Sequence, residues 1–140
     1  MDVNRSFKIC GSGLAAQRAK MDVVSSNLAN ISTTRTPEGG PYKKKAVALS
    51  AEEVGGRFDS SLKEAVQSVK VDEITEDPKV KMMYDPAHPD ADAKGFVAMP
   101  DINLMSEMAD MIAASRAFEA CVTAFDATKS MALKTLEMGR

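Results

Sequence analysis

The sequence has no tryptophan, a single histidine and two cysteines, and aromatic residues make up only 5% of the chain. Because His88 is the one histidine, most mechanisms of acid–base catalysis are excluded. No serine or cysteine that could act as a nucleophile lies near it in sequence. Cys10 and Cys121 are too far apart in sequence to match the spacing of a metal site. The sequence therefore predicts no enzyme active site, no metal site and no bound cofactor.

Strong net charge and long apolar runs are also lacking. The formal net charge of -2 gives no electrostatic reason to expect nucleic acid as a partner. The one basic run, Lys43–Lys45, is short, and we expect it to be a solvated patch. No window approaches the about 18 apolar residues of a membrane span, and the N-terminus lacks the apolar core of a secretory signal. Composition thus predicts a cytoplasmic protein, or one exported by a route that reads no such signal.

What is present is a long helical pattern over residues 101–140. Ala, Met, Leu, Glu and Lys dominate it, Asp101 and Asn103 suit its start, and Gly139 suits its end. About 35 residues at roughly 1.5 Å each would make a helix about 50 Å long. One apolar stripe recurs at steps of three and four residues and comprises Leu104, Met108, Met111, Phe118, Val122, Phe125, Ala132 and Leu136.

A second helical pattern occupies residues 4–30 of an N-terminal segment, residues 1–34. Gly11 and Gly13 weaken its first part, so we expect the helix to fray there or to begin after them, and the alternative interpretation of the two glycines is close helix packing. Asn27 and Asn30 share a helix face in an uncharged stretch, which suits a buried protein contact because no charge is desolvated. The apolar stripe of this helix comprises Phe7, Cys10, Leu14, Met21, Val24 and Leu28.

The middle segment, residues 35–100, reads as a loop followed by a small β module. Gly and Pro mark a loop over 35–41, 42–50 alternates as an extended segment, and 51–61 reads as a linker. Residues 62–66 allow a short helix, and strands are predicted around 69–74, 80–84 and 96–99. The acidic stretch at 85–92 contains His88 and three aspartates, which are residue types that can bind a metal ion. Its prolines favour a turn instead, with the aspartates bonded to local backbone.

These segments predict a mainly α protein with a small β insert. The N- and C-terminal helices should pack as an antiparallel, coiled-coil-like pair, with the short β-rich module between them in sequence. Two helices alone leave at least half of each helix exposed, whereas helix bundles cover more of their apolar surface. Association of several copies would supply the missing cover, so the pattern favours an assembly protein. A small soluble adaptor that binds one partner through its terminal helices remains the alternative.

The run from Ser26 to Thr34 resembles the N-L-A-N-x-x-T signature of bacterial flagellar rod and hook axial proteins. Residues 84–92 and 113–120 carry the resemblance further, to the proximal rod proteins of that family. The resemblance implies a structural subunit of the flagellar basal-body rod, which polymerises through its terminal helices into the drive shaft that transmits motor torque to the hook. It also implies passage through the flagellar type III export apparatus without a cleaved signal, and a periplasmic location.

The implied partners are other copies of the chain and other rod proteins, with no nucleic acid and no membrane insertion. Residues of both terminal helices become candidate subunit contacts: Leu14, Met21, Val24, Asn27, Leu28, Asn30, Leu104, Met108, Met111, Phe118, Val122 and Phe125.

The implied periplasmic location raises a hypothesis about the two cysteines. If Asn30 lies near Leu104 in an antiparallel pair, residue 10 falls opposite about residue 124. Cys10 and Cys121 then lie within about one turn of each other, and the periplasm is oxidising. They either form a disulfide bond or remain two buried thiols.

Overall fold

The computed structural model describes residues 3–53 and 67–139. Two long helices flank two short antiparallel ribbons, as the sequence predicted. The elements in chain order are α1 (Val3–Ala29), β1 (Lys44–Glu53), β2 (Gln67–Asp77), β3 (Val80–Tyr84), β4 (Phe96–Pro100) and α2 (Leu104–Met138). The predicted mainly α fold with a small β insert is therefore confirmed.

Helices α1 and α2 run antiparallel along each other. Near the end of α1, Asn27 hydrogen-bonds Glu107 at the start of α2. Near the start of α1, the rings of Phe7 and Phe125 lie with centroids 4.8 Å apart. Helix α2 begins where expected because Asn103 Oδ1 accepts hydrogen bonds from the backbone N–H groups of its first turn, at 3.0 and 3.3 Å.

The glycines of α1 do not interrupt the helix, so the expected fraying at Gly11 and Gly13 is wrong. Gly13 lies against α2, and a Cβ built on it would stand 3.2 Å from Cys121 Sγ. A side chain there would crowd the facing helix, whereas glycine lets the two backbones approach closely. Packing against α2 thus offsets the conformational cost of a glycine in a helix.

The β module consists of two separate two-stranded sheets. Strands β1 and β2 pair from Lys44 opposite Asp77 to Glu53 opposite Gln67, with an irregularity between Ala48 and Leu49. Strands β3 and β4 pair from Val80 opposite Pro100 to Tyr84 opposite Phe96. Strand β1 continues through residues 51–53, so the linker expected from residue 51 starts later. The rest of that linker and the short helix considered at 62–66 lie outside the described residues.

The core between the helices is narrow and is built from small side chains. In α1 the buried residues are Ala16, Val23, Val24 and Asn27, and in α2 they are Glu107 and Ala114. Leu104 and Met108, which the predicted α2 stripe would turn towards α1, are 49% and 46% exposed. The stripe is thus wrong as an inner face at these two positions, whereas its members Met111, Phe118 and Phe125 are half-buried. Within the described residues, no helix has the length and apolar character to cross a membrane.

Candidate assembly surface

The uncharged stretch at the end of α1 forms a hydrogen-bonded stop. Asn30 Nδ2 donates to the carbonyl oxygen of Ser26 at 2.8 Å, and Thr33 Oγ1 donates to Asn30 Oδ1 at 3.1 Å. The backbone N–H of Tyr42 then donates to the carbonyl oxygen of Thr33 at 3.1 Å. These side chains satisfy backbone groups that the helix end leaves open and direct the chain towards β1.

Asn27 joins α1 to strand β1 and to helix α2. Its Nδ2 donates to the carbonyl oxygen of Lys45 at 2.8 Å and to Glu107 Oε2 at 3.0 Å. Its Oδ1 accepts from the Lys45 N–H at 2.9 Å and from the Tyr42 hydroxyl at 3.2 Å. The residue is 1% exposed, and all four hydrogen-bonding positions of its amide are used. Ser26 Oγ lies 3.1 Å from the Tyr42 hydroxyl oxygen. Because the Tyr42 hydroxyl donates its hydrogen to Asn27 Oδ1, Ser26 is the donor in this second hydrogen bond.

Glu107 brings a negative charge into this contact. It is 2% exposed, and its Oε1 lies 2.7 Å from Lys44 Nζ. We call Asn27, Tyr42, Lys44, Lys45 and Glu107 the polar junction. Removing one partner from a buried ion pair typically costs about 3–5 kcal/mol, because the other charge is left uncompensated.

The predicted solvated patch at Lys43–Lys45 is therefore only partly correct. Lys43 is exposed, but Lys44 pairs with Glu107 and the Lys45 backbone is bound by Asn27. The charge run gave no sign of this role, because the acid that pairs with Lys44 lies far away in sequence.

The acidic loop between β3 and β4 is a series of turns. Asp85 Oδ1 accepts from the Ala87 N–H, and Asp92 Oδ1 accepts from the Lys94 N–H. His88 Nδ1 accepts from the Asp90 N–H at 3.1 Å. Among residues 3–53 and 67–139, no cluster of three or more His, Cys, Asp or Glu is arranged to hold a metal ion. The carboxylates bind local backbone, as the turn interpretation predicted.

The outward side of α2 carries large apolar side chains that its own chain leaves uncovered. We call this set the outer apolar face: Leu104, Met105, Met108, Ile112 and Val122. Its members recur at helical spacing, and Ile112 is 61% exposed. Four of the five lie within the first nine residues of α2, next to the polar junction. A contiguous apolar surface of this kind marks a site of protein contact.

Helix α2 also extends beyond the point where α1 begins. Phe125 packs on Phe7, and Val3 and Ser6 line one hollow with residues 128, 131, 132 and 135, so the first described turn of α1 lies opposite that part of α2. We call residues 136–138, which lie beyond this hollow, the C-terminal overhang. Its large apolar side chains, Leu136 and Met138, are 72% and 79% exposed.

The β3–β4 ribbon adds a third uncovered apolar area. Val80, Met82 and Tyr84 alternate along β3, so they share one face, and all three are exposed. Tyr84 packs edge-on against Phe96 of β4, with ring centroids 5.3 Å apart. An isolated two-stranded ribbon is marginally stable in water, so this area also calls for a covering surface.

The twelve predicted contact residues fall into three groups. Val24 and Asn27 are buried inside the chain, and Leu104, Met108 and Val122 are exposed. The half-buried remainder comprises Leu14, Met21, Leu28, Asn30, Met111, Phe118 and Phe125. The Asn27 amide serves the fold of its own subunit, and a direct role of these residues between subunits stays a prediction.

Sequence reasoning missed several members of these surfaces. Met105 and Ile112 lie seven residues apart beside the predicted stripe, and a wider apolar arc would have included them. Glu107 stands in the first turn of α2, where an acid suits the helix dipole without any distant partner. Its pairing with Lys44 leaves no local sequence signal.

Both cysteines are free, half-buried thiols. Cys121 Sγ is directed at Gly13, about one turn along α1 from Cys10. This agrees with the predicted register of the helices. A bond between Cys10 and Cys121 stays a prediction.

Comparison with known proteins identifies the group to which the chain belongs. Residues 8–35 match the protein family described as "Flagella basal body rod protein". Residues 93–138 match the family described as "Flagellar basal body rod FlgEFG protein C-terminal". The flagellar basal-body rod protein FlgC of Bacillus subtilis is 43% identical, and the alignment covers all of both chains. The chain belongs to the flagellar basal-body rod protein family.

Two further rod-family relatives agree with this assignment. The FlgC protein of Borreliella burgdorferi is 42% identical over 94% of this chain and 93% of its own length. That of Salmonella typhimurium is 38% identical over 96% of each. The polar junction joins the two rod-family segments, since Asn27 lies in the first and Glu107 in the second.

Proposed function

We propose that this chain is a structural subunit of the proximal part of the flagellar basal-body rod, polymerising through its terminal helices. The observation that carries the proposal is the outer apolar face of α2 in a chain of the rod family. Ile112 is 61% exposed and Met108 46% exposed on this face. The face needs a partner, because α1 already occupies the inner side of α2.

The arrangement of the uncovered surfaces suits a polymer. The outer apolar face lies mostly at the start of α2, beside the polar junction, and the C-terminal overhang lies at its end, so the two ends of a copy present apolar surfaces of different shape and surroundings. A contact between two unlike surfaces repeats from copy to copy and gives an open helical array. A one-to-one adaptor would use one such surface and leave the others exposed, so the adaptor alternative is not favoured.

The proposal extends to partners and location. Its partners are further copies of the chain and other rod proteins, with no nucleic acid and no membrane insertion. Delivery is by the flagellar type III export apparatus without a cleaved signal, to a periplasmic rod that transmits torque to the hook. The role is mechanical rather than catalytic, and it needs no cofactor.

The test replaces Met108 by Glu, which matches Met in helix propensity and places a charge on the outer apolar face. A strain that carries Met108→Glu should export the chain but lose rod assembly and motility. Ala120→Glu, at another exposed position of α2, is the matched control and should leave motility largely intact. Motile cells with the Met108 variant would refute the assembly role of this face, and lost export would assign the position to secretion instead.

A further inference from the structure

The seam between α1 and α2 repeats itself every seven residues. On α2 it contains Glu107, Ala114, Cys121 and Thr128, and on α1 it contains Ser6, Gly13, Lys20 and Asn27. Seven residues make about two helical turns, so each set lies along one side of its helix. Three pairs of these residues meet across the seam. Asn27 hydrogen-bonds Glu107, and Gly13 lies against Cys121. Ser6 and Thr128 line the same hollow.

Packing of small side chains alone favours one alignment of the two helices over another only weakly, because small residues are similar in shape. If α2 slipped by seven residues, Cys121 would face Ser6 and Ala114 would face Gly13. Both of these slipped pairs are again small against small, so they would pack about as closely as the native pairs, and the same slip would place Glu107 opposite Lys20. The slip would also separate the ring of Phe7 from that of Phe125. Because both rings are only half-buried, losing this contact costs less than losing a fully buried one.

A slip would break the hydrogen bond and the ion pair that Glu107 makes in the polar junction. Asn27 binds both the N–H and the carbonyl oxygen of Lys45, so α1 and β1 behave as one unit. Glu107 is the residue through which α2 joins that unit, by Asn27 Nδ2 and Lys44 Nζ. After a slip by seven residues, Glu107 would lose Asn27 and Lys44 and would face Lys20, whose Nζ pairs with Asp110 in the native register. One Asn27 N–H would then stay buried without an acceptor, and this loss is what opposes the slip.

We propose that the contact between Asn27 and Glu107 specifies the register of α1 against α2, selecting one among several similar small-residue alignments. A single buried polar pair fixes the register of helices in this way when the apolar packing does not. The register in turn fixes the outer surface, because a slip by seven residues would move the outer apolar face by about 10 Å relative to α1.

Disulfide trapping in the full chain tests the proposal. Each variant carries Cys10→Ser, keeps Cys121 and adds one cysteine to α1. Gly13→Cys reports the native register, since a Cβ there stands 3.2 Å from Cys121 Sγ, close to the separation across a disulfide. Ser6→Cys reports the slipped register. The fraction of disulfide is measured by mass spectrometry at equilibrium with glutathione, and circular dichroism shows whether each variant is folded.

With Glu107 present, the native disulfide should exceed the slipped one by on the order of a hundredfold. In Glu107→Leu the ratio should fall to within about tenfold, because Asn27 Nδ2 then lacks its α2 acceptor in either register. Glu107→Gln keeps an oxygen acceptor for Asn27 and should retain the native ratio. Phe125→Leu, which removes the ring contact, should retain it as well.

Two results would overturn the proposal. One is a native ratio unchanged in Glu107→Leu, and the other is a loss of register in Glu107→Gln as large as in Glu107→Leu. If Glu107→Leu does not fold, the assay moves to Glu107→Leu with Lys44→Met, which removes both charges together. Failure of that variant to fold would mean that the junction is required for folding itself, and the register proposal would be wrong.

Discussion

The two sides of helix α2 differ in what they bury. The inner side, against α1, buries Glu107 and Ala114 and half-buries Phe125, while the outer side exposes Met105, Ile112 and other large apolar residues. Burial in a monomer would normally place such large residues inside, at about 25 cal/mol per Å² of apolar surface removed from water. The difference fits both proposals, in which the inner side sets alignment within the subunit and the outer side supplies contact area between subunits.

The largest expected effect comes from breaking the inner side. Asn27→Ala removes four hydrogen bonds and leaves the Glu107 carboxylate and the Tyr42 hydroxyl without their buried partner. We expect a loss of about 3–5 kcal/mol in the free energy of unfolding. Urea titration followed by circular dichroism measures it.

Asn30→Ala is the matched control for this prediction. It removes two half-buried side-chain hydrogen bonds at the end of α1 and should cost only about 1–2 kcal/mol. Equal losses for the two variants would mean that the polar junction is no more important than a helix cap.

A smaller effect distinguishes the two sides of α1. Gly11 is exposed and has open space where a Cβ would stand, whereas Gly13 faces Cys121 Sγ at 3.2 Å. Gly11→Ala should stabilise the chain by roughly 0.5–1 kcal/mol through its effect on helix propensity. Gly13→Ala should gain less or lose stability, because the facing helix must yield. Thermal unfolding of the two variants gives the difference, and a larger gain at Gly13 would show that the helices are not held closely there.

The smallest effect lies at the surface, in the turn between β2 and β3. The Lys79 N–H donates to Asp77 Oδ1 at 3.1 Å, and this hydrogen bond lowers the pKa of the Asp77 carboxyl below its ordinary value of 3.8. A lowered pKa in the folded chain means that the charged form supports folding above about pH 3.8, and that this support is lost as pH falls through the lower value. Titration of the carboxyl carbon by NMR measures the shift.

Asp77→Asn provides the comparison for that titration. The carboxyl is exposed to solvent, so the variant should change stability at neutral pH hardly at all. A folded-state pKa above 3.8 would show that the turn does not form in solution.

The sequence predicted much of the fold because helix and strand signals are local. The apolar spacing and the Asn103 cap predicted both helices, alternation predicted the strands, and the antiparallel pairing followed from the helix lengths. All members of the predicted α1 stripe are buried or half-buried. The inner face of α2 was mispredicted at Leu104 and Met108, because hydrophobic periodicity selects the largest apolar residues. The small residues that also pack between the helices, Ala16, Ala114 and Gly13, gave no such signal, because their contribution comes from their small size.

The polar junction could not be predicted from the sequence for a different reason. Asn27 and Glu107 lie eighty positions apart, and each has an ordinary local explanation as a helix-ending amide or an N-terminal acid. Only the three-dimensional register brings them together with Lys44. The outer apolar face was found in part, at Leu104, Met108 and Val122, because large exposed residues do carry a periodic signal.

The central claim is that the outer apolar face of α2 is covered by other subunits in the rod. Maleimide labelling tests it most directly, using Met108→Cys in a chain with Cys10→Ser and Cys121→Ser. The introduced thiol should react readily in the free subunit and should be protected in isolated basal bodies. Ala16→Cys, at a position 1% exposed in the subunit, should be protected in both. Equal labelling of Met108→Cys in the free and assembled states would contradict the account.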